Sequence, residues 1–229
     1  MSSFALHLFR SWTCSLLGIV LAACGICSAG LHPPVDIVFV LNVNRSMADP
    51  NRFVGAGAHL ATLQFTEMDR AAVLTVASGI KWRSGLTGDR MVMERALQEA
   101  LRAIAERQDR LRIYDAIWIA VNSMVATEGR RRCVILISND ADRGSSHSSD
   151  EVVRELRAKN VSLNALLIRG PHVDPSQVRN GMRGIPYPDV QAAARELRAI
   201  TEDTGGSVSI VDMNGYVLLE GVEMCRNQE

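Results

Sequence analysis

Residues 35–47 read VDIVFVLNVNRSM. Val35, Ile37, Val38, Phe39, Val40 and Leu41 follow the Pro33-Pro34 stop as an almost unbroken, β-branched apolar run, the pattern of a strand buried on both faces. Three further runs share it: Ala71–Ala77 (AAVLTVA), Cys133–Ile137 (CVILI) and Val161–Ile168 (VSLNALLI). Helical spacing separates them. Arg52–Thr66 carries apolar residues at helical intervals, and Asp89–Arg107 sets Met93, Ala96, Leu97, Ala100, Leu101 and Ile104 on one face. Ile113–Val125 is apolar nearly all round and reads as a buried helix, while Ser149 or Asp150 can cap a helix over Glu151–Lys159. Asp189–Thr204 is helical and ends at Gly205-Gly206. Gly79–Leu86 alternates like an edge strand, and Ser207–Val211 reads as a final strand. Residues 216–225 leave two readings, a hairpin turned at Asn214-Gly215 or a short closing helix. Residues 170–188, with four prolines and three glycines, form a loop too long for a simple connection. All-apolar strands alternating with helices predict an α/β fold: a doubly wound, Rossmann-like, mainly parallel central sheet with helices on both faces.

Composition narrows the function. The 229 residues include 25 basic and 25 acidic side chains, so a protein that coats nucleic acid through surplus positive charge is excluded. Charge is uneven along the chain, because Arg10 is the sole charged residue before Asp36. A basic start, the short apolar run Leu16–Cys24 and small residues after it have the layout of a secretory signal. That run is about half of the ~20 residues a membrane span requires. Two processing sites compete: Leu21-Ala22-Ala23-Cys24 is similar to a bacterial lipobox, with Cys24 lipidated, and Cys27-Ser28-Ala29 suits ordinary cleavage after Ala29. The expected organisation is a signal peptide over 1–29, a linker over 30–34 and one domain over 35–229. Cleavage before Cys24 leaves the odd set Cys27, Cys133 and Cys225, which is no disulfide framework. Cys133 sits in an apolar run, so a buried thiol is expected, with a Cys133–Cys225 bridge as the alternative in an oxidising compartment.

The order of segments resembles a von Willebrand factor type A domain over roughly 35–212. Val35–Met47 is similar to that family's first strand and loop, and Asp69–Asp89 (DRAAVLTVASGIKWRSGLTGD) to its second strand, edge strand and turn. Ile113-Tyr114-Asp115-Ala116-Ile117 matches the start of the central helix. Arg131–Asp142 (RRCVILISNDAD) matches the strand and loop that usually carry Ser-Asp-Gly, and Thr201–Gly206 (TEDTGG) the turn before the last strand. The bacterial secreted members are the nearest in character. The resemblance implies a metal-ion-dependent adhesion site, in which Asp-x-Ser-x-Ser, a Thr and a later Asp hold Mg²⁺ and a partner carboxylate completes its shell.

Carried over residue by residue, that pattern is broken. Asn42 stands at the Asp position, Asn44 at the first Ser, Ser46 at the second Ser, Leu111 at the Thr and Asn139 at the final Asp. Mg²⁺ dehydrates reluctantly and is usually held through one or two carboxylates. Each carboxylate lost at 4 Å removes about 4 kcal/mol of attraction at an effective dielectric near 20. Arg110 and Arg112 add positive charge nearby, while Asp140 and Asp142 partly compensate. The expectation is a degenerate site lined by Asn42, Asn44, Ser46, Leu111, Asn139, Asp140 and Asp142. No cofactor is expected, Mg²⁺ is disfavoured, and weak Mg²⁺ contact falls at Asn42, Asn44 and Ser46.

Other signals are weaker. Asp115 reads as a loop-bracing carboxylate at a helix start. His32, His59, His147 and His172 lack ligand spacing. Ser145–Ser149 holds Ser and His in one loop without a nucleophile elbow, and no phosphate-binding loop is present. Arg130-Arg131-Arg132 reads as a solvated turn before a strand, with contact to anionic lipid or a partner as the alternative. Together these predict no enzyme and no catalytic residue. The expected function is an exported, envelope-associated, adhesion-type module that binds an unidentified protein without a strongly bound metal. It would be a periplasmic or surface lipoprotein, or secreted, touching membrane only through an anchor at Cys24. Two alternatives stand beside it. One is a divalent-metal-dependent adhesion module using Asn42, Asn44, Ser46 and Asp140 or Asp142; the other is a structural envelope-assembly factor with a vestigial site.

Overall fold

The computed structural model describes residues 33–103, 110–170, 189–212 and 216–227. Six strands form one sheet: β1 (Val35–Asn42), β2 (Arg70–Val76), β3 (Ile80–Thr87), β4 (Arg131–Ser138), β5 (Ser162–Arg169) and β6 (Val208–Asp212). Their spatial order is β3-β2-β1-β4-β5-β6, all parallel except the edge strand β3, which runs antiparallel to β2. Seven helices among the described residues pack on it: α1 (Ala48–Ala56), α2 (Ala58–Leu63), α3 (Arg90–Arg102), α4 (Ile113–Ser123), α5 (Ser149–Ala158), α6 (Val190–Glu202) and α7 (Val217–Arg226). These elements lie in one compact unit, Pro34–Glu229. Among the described residues no helix is long and apolar enough to cross a membrane.

Strand alternation sorts the core into two layers. Ile37, Phe39, Leu41, Ile135 and Ile137 face α1, α2, α3 and α7, where Val54, Ala61, Met93, Leu97 and Val222 cover them. Val38, Val40, Val134 and Leu136 face the other way, against Ile117 and Val121 of α4, Leu156 of α5 and Leu197 of α6. Each fully buried Leu, Ile or Phe contributes about 1.5–3 kcal/mol of transfer free energy, so both layers resist polar substitution.

Local details correct the expectations, or decide between open readings, in five places. The helix read over Arg52–Thr66 begins at Ala48 and is two helices parted at Gly57; Pro50 is tolerated because it sits in the first turn, where the missing N–H is not needed. Helix α5 is capped by Ser148 rather than Ser149 or Asp150, through a reciprocal capping box with Glu151. Residues 217–226 are the closing helix. Cys133 is no free thiol: it is bridged to Cys225, tying β4 to α7. Arg131 and Arg132 belong to β4, and Arg130 is ion-paired to Asp36, so this run is no solvated turn. Gly205, with φ of 75°, follows α6, and a Cβ on Gly206 would meet the Leu163 carbonyl at 1.9 Å, which explains the double glycine. The signal-peptide segment, Cys24, His32, Ile104, His172, the loop over 171–188 and Asn214-Gly215 lie outside the described residues.

At the amino ends of the strands two buried carboxylates meet arginines. Asp36 takes Arg70 Nη2 at 2.6 Å and Nε at 2.9 Å, and Arg130 Nη2 at 2.6 Å. Asp69 accepts from Val35 N–H at 2.9 Å, Thr66 N–H at 2.8 Å and Arg226 Nη2 at 2.6 Å. Burial alone would raise both carboxyls. For Asp36 the arginine hydrogen bonds outweigh it, and for Asp69 the backbone donors of Val35 and Thr66, with Thr66 hydroxyl and Arg226, do the same. Both are therefore held below the usual carboxylate range.

Candidate functional site

The strand order reverses direction between β1 and β4, and in such sheets the ligand crevice opens at that point, beyond the carboxyl ends of the strands. Leu41 pairs with Ile137, so Asn42 and Ser138 end the two strands side by side. Three loops converge there: 43–47 after β1, 110–112 before α4 and 139–148 after β4. Arg112 N–H bonds the Ala77 carbonyl at 3.2 Å, and Arg143 N–H bonds the Leu111 carbonyl at 2.8 Å, which fixes the middle loop to both sides.

The two asparagines bond to each other's loops. Asn42 Nδ2 donates to Ser138 Oγ at 3.0 Å and to Asn139 Oδ1 at 3.4 Å. Ser46 Oγ donates to the same Asn139 oxygen at 3.2 Å, and Asn139 Nδ2 donates back to the Ser46 carbonyl at 3.1 Å. Asn42 Oδ1 accepts Asn44 N–H at 2.9 Å, closing the first loop onto its own strand. Asn51 of α1 donates to the Asn42 carbonyl at 3.1 Å. Asn42 is fully buried, and Asn44 and Asn139 are nearly so. Every one of these bonds joins neutral groups, each worth about 0.5–1.5 kcal/mol net, and together they staple loop 43–47 to loop 139–148. Asn44 Oδ1 and Asn51 Oδ1 are buried acceptors without a hydrogen-bond partner among the described residues.

The remaining expected residues divide. Asp140 lies beside the staple, ion-paired with Arg143, and its Oδ1 accepts Ala141 N–H at 2.9 Å. Asp142 turns away from the asparagines. It accepts from Tyr114 N–H at 3.1 Å, Ser145 N–H at 3.2 Å and Ser145 Oγ at 2.5 Å, bracing its own loop to α4. Leu111 points into the core at 1% exposure, packed with the α4 face, so only its backbone reaches the crevice.

Asp115 is a loop brace, as expected. Its carboxylate accepts Ser146 N–H at 3.0 Å, His147 N–H at 3.0 Å, Arg112 Nε at 2.8 Å and sits 2.7 Å from His147 Nδ1. Burial opposes its charge, but these donors win and hold its pKa at about 2. The His147 ring stacks on Trp118 with centroids 4.3 Å apart, so Asp115 and Trp118 together clamp the loop that ends in the α5 cap. Tyr114 bonds Glu196 of α6, and burial together with that carboxylate raises its phenol well above the usual range. Sequence reading missed Ser138 and Asn51, whose roles depend on strand pairing and on a helix start that spacing alone placed four residues late. Arg143 and His147 carried a visible signal, since each stands in a loop after a strand that ends at the crevice.

No family model matches the chain, and no curated protein matches it. Solved structures do. A von Willebrand factor type A protein from Catenulispora acidiphila is 15% identical with a TM-score of 0.62; the match covers 86% of this chain, which spans 43% of that one. An aerotolerance-related membrane protein from Bacteroides fragilis is 13% identical over 83% of this chain and 98% of its own, with a TM-score of 0.61. Proximal thread matrix protein 1 from the mussel byssus, with a zinc-occupied adhesion-site motif, is 15% identical over 84% of this chain and 46% of its own, with a TM-score of 0.59. At this identity the likeness is one of architecture, and it agrees with the strand order and the crevice position: the chain has the von Willebrand factor type A fold.

Proposed function

We propose that this chain is an exported, envelope-associated protein-interaction module whose crevice engages a protein partner without a bound divalent cation. The observation that carries the reading is the amide staple. The one oxygen of Asn139 that could ligate an ion already accepts from Asn42 Nδ2 and Ser46 Oγ. Asn42 Oδ1 accepts a backbone N–H. Leu111 offers no side-chain donor atom, and no carboxylate enters the staple. This set does not fit Mg²⁺, which requires near-octahedral oxygen ligation and at least one charge-bearing partner. It does the mechanical work such an ion would do, since it holds the two loops together. The reading is non-enzymatic: Ser46 donates to an amide oxygen rather than to a base, and His147 is engaged by a buried carboxylate and an indole.

Two observations support the cellular side. A buried Cys133–Cys225 bridge suits an oxidising compartment. A neighbour of the same fold is an aerotolerance-related membrane protein. Cys24 is the proposed lipid anchor, with cleavage after Ala29 as the secreted alternative. A metal-dependent second reading draws on Asn42, Asn44, Ser46 and Asp140 or Asp142, and is favoured by Asn44 Oδ1, which has no hydrogen-bond partner among the described residues. Thermal-shift titration with Mg²⁺ and Mn²⁺ separates the two. The melting temperature is expected to stay within about 1 °C, because a bound ion at a hundredfold excess over its Kd adds about 2.7 kcal/mol and several degrees. A shift of that size, lost in Asn42→Ala, overturns the metal-free reading. Capture of a partner that survives combined alanine substitution at 42–46 and 139–142 would leave the fold as a passive scaffold.

A further inference from the structure

The sheet has two edges, and they are not built alike. The β3 edge is blunted by devices that discourage strand pairing: Lys81 and Arg83 lie on it, and its register with β2 shifts twice, between Ala71 and Val73 and between Val73 and Leu74. The β6 edge has none of these. Val208-Ser209-Ile210-Val211 pairs with β5 in unbroken register and holds no Lys, Arg or Pro. The one charge of the strand, Asp212 at its end, lies 3.7 Å from Arg169. Its length is an ordinary one for a strand, so the edge can accept another beside it.

Backbone pairing fixes what this edge offers. Ala165 N–H bonds the Ser207 carbonyl at 2.9 Å. In a parallel ladder alternate residues turn their backbone groups to the same neighbour, so Ser209 and Val211 also face β5. Val208, Ile210 and Asp212 then turn N–H and C=O outward, where none of them has a backbone partner among the described residues. The two faces of the strand differ as well. Val208 and Ile210 pack against the core layer beneath α6, while Ser207 and Ser209 lie on the α7 side.

On that side α7 lies over β1, β4 and β5 and stops short of β6. A groove of about 590 Å³ is left along the strand, walled by Ser207 and Ser209 and by Glu220 and Glu223, which are neighbours on one face of α7. Glu220 is half-buried and Glu223 exposed, and neither carboxylate has an ion pair or a side-chain hydrogen bond among the described residues. No cationic side chain lines the groove among those residues. Charge therefore selects the occupant. A strand added outside Ile210 sends alternate side chains to the α7 side, and the two small serines let a long Lys or Arg cross to Glu220 and Glu223. A second copy of β6 brings Ser209, Val211 and Asp212 and no cation, so it leaves both carboxylates unanswered.

We propose that β6 accepts an added strand from a protein partner, an extended segment that alternates apolar residues with Lys or Arg. Its backbone pairs with Val208 and Ile210, and its cations reach Glu220 and Glu223. This surface is separate from the crevice and does not rest on the reading of it. The probe is a short synthetic peptide alternating Val and Lys, titrated into the full chain at low ionic strength, where exposed charges are least screened. Saturable binding is expected, with slower amide exchange at Ile210 N–H and unchanged exchange at Asn44 N–H. The same peptide with Glu in place of Lys should not bind. Glu220→Gln combined with Glu223→Gln should melt with the parent and weaken the Val-Lys peptide about fivefold, the scale of two solvent-accessible ion pairs. Ile210→Pro removes an outward N–H that the β5 ladder does not use, and should abolish binding.

A dissociation constant for the Val-Lys peptide weaker than about 1 mM, or binding that leaves Ile210 N–H unprotected, overturns strand addition at β6. Equal binding of the Val-Glu peptide, or a double Gln variant that binds like the parent, overturns the basic partner. Sedimentation of the chain alone reads the second copy: a concentration-dependent dimer lost in Ile210→Pro overturns the assignment to a different protein. Asn139→Ala, which loosens the crevice, should bind the peptide like the parent, and loss of binding there overturns the separation of the two surfaces.

Discussion

The two ends of the sheet solve the burial of polar groups in opposite ways. At the amino ends, charge meets charge: Asp36 between Arg70 and Arg130, and Asp69 beneath Arg226, with a covalent bridge from Cys133 to Cys225 close by. At the carboxyl ends, Asn42, Ser46, Ser138 and Asn139 bond amide to amide and hydroxyl, with no net charge in the staple. Of the carboxylates near the crevice, Asp142 is engaged by backbone N–H groups of its own loop, and Asp115 of α4 by Arg112 and by backbone N–H groups of the loop after β4. Removing one partner of a buried ion pair leaves an uncompensated charge, whereas removing one amide leaves a modest, solvable deficit. The amino end is therefore built to stay fixed. The crevice end is ordered by bonds of a strength that a partner's own donors and acceptors can replace.

The contrast breaks first at Asp36. Asp36→Asn should cost about 4 kcal/mol in urea unfolding, since Arg70 and Arg130 lose their shared counter-charge. The same carboxylates set the acid limb. Asp36, Asp69 and Asp115 all have folded pKa values below their unfolded ones, so the stability they supply is full above the ordinary carboxylate range and falls away as pH drops through it toward 2. A stability profile flat from pH 6 to pH 2 would contradict this.

Next in size is the bridge. Cys225→Ser should lower stability by about 3 kcal/mol, within the range of about 2–4 kcal/mol typical of a disulfide, and should free α7 from β4. Amide exchange in α7 should quicken while α4 and α5 keep their protection. The smallest effect sharpens the other side. Asn139→Ala should cost about 1–2 kcal/mol and loosen loop 43–47, visible as faster exchange at Asn44 N–H, with the acid limb unchanged. The combined variant Asn42→Asp, Asn44→Ser, Leu111→Thr and Asn139→Asp should melt lower than the parent in chelator and recover with Mg²⁺, because its paired carboxylates repel until a cation separates them.

Much of this architecture was legible because strands buried on both faces must be apolar throughout. Val35–Leu41, Ala71–Val76, Cys133–Ile137 and Leu163–Ile168 contrast sharply with the amphipathic helices between them. Closeness of Asn42 and Asn139 also followed, since parallel strands place their loops at one end. What stayed hidden depends on three-dimensional registry. Cys133 looked like any apolar strand residue until α7 set Cys225 against it. Arg130–Arg132 looked like a solvated turn because nothing local reveals that Asp36 pairs with Arg132 across β1 and β4. Leu111 was matched to a ligand position by sequence order alone; its side chain turns inward because the start of α4 needs an apolar contact there.

The bridge between β4 and α7 also has a consequence in time. Its second sulfur arrives only after all six strands have been made, because α7 follows β6 in chain order. A nascent polypeptide cannot close this bond within any partial product that stops before α7. The lock is thus a late event in the synthesis of this domain.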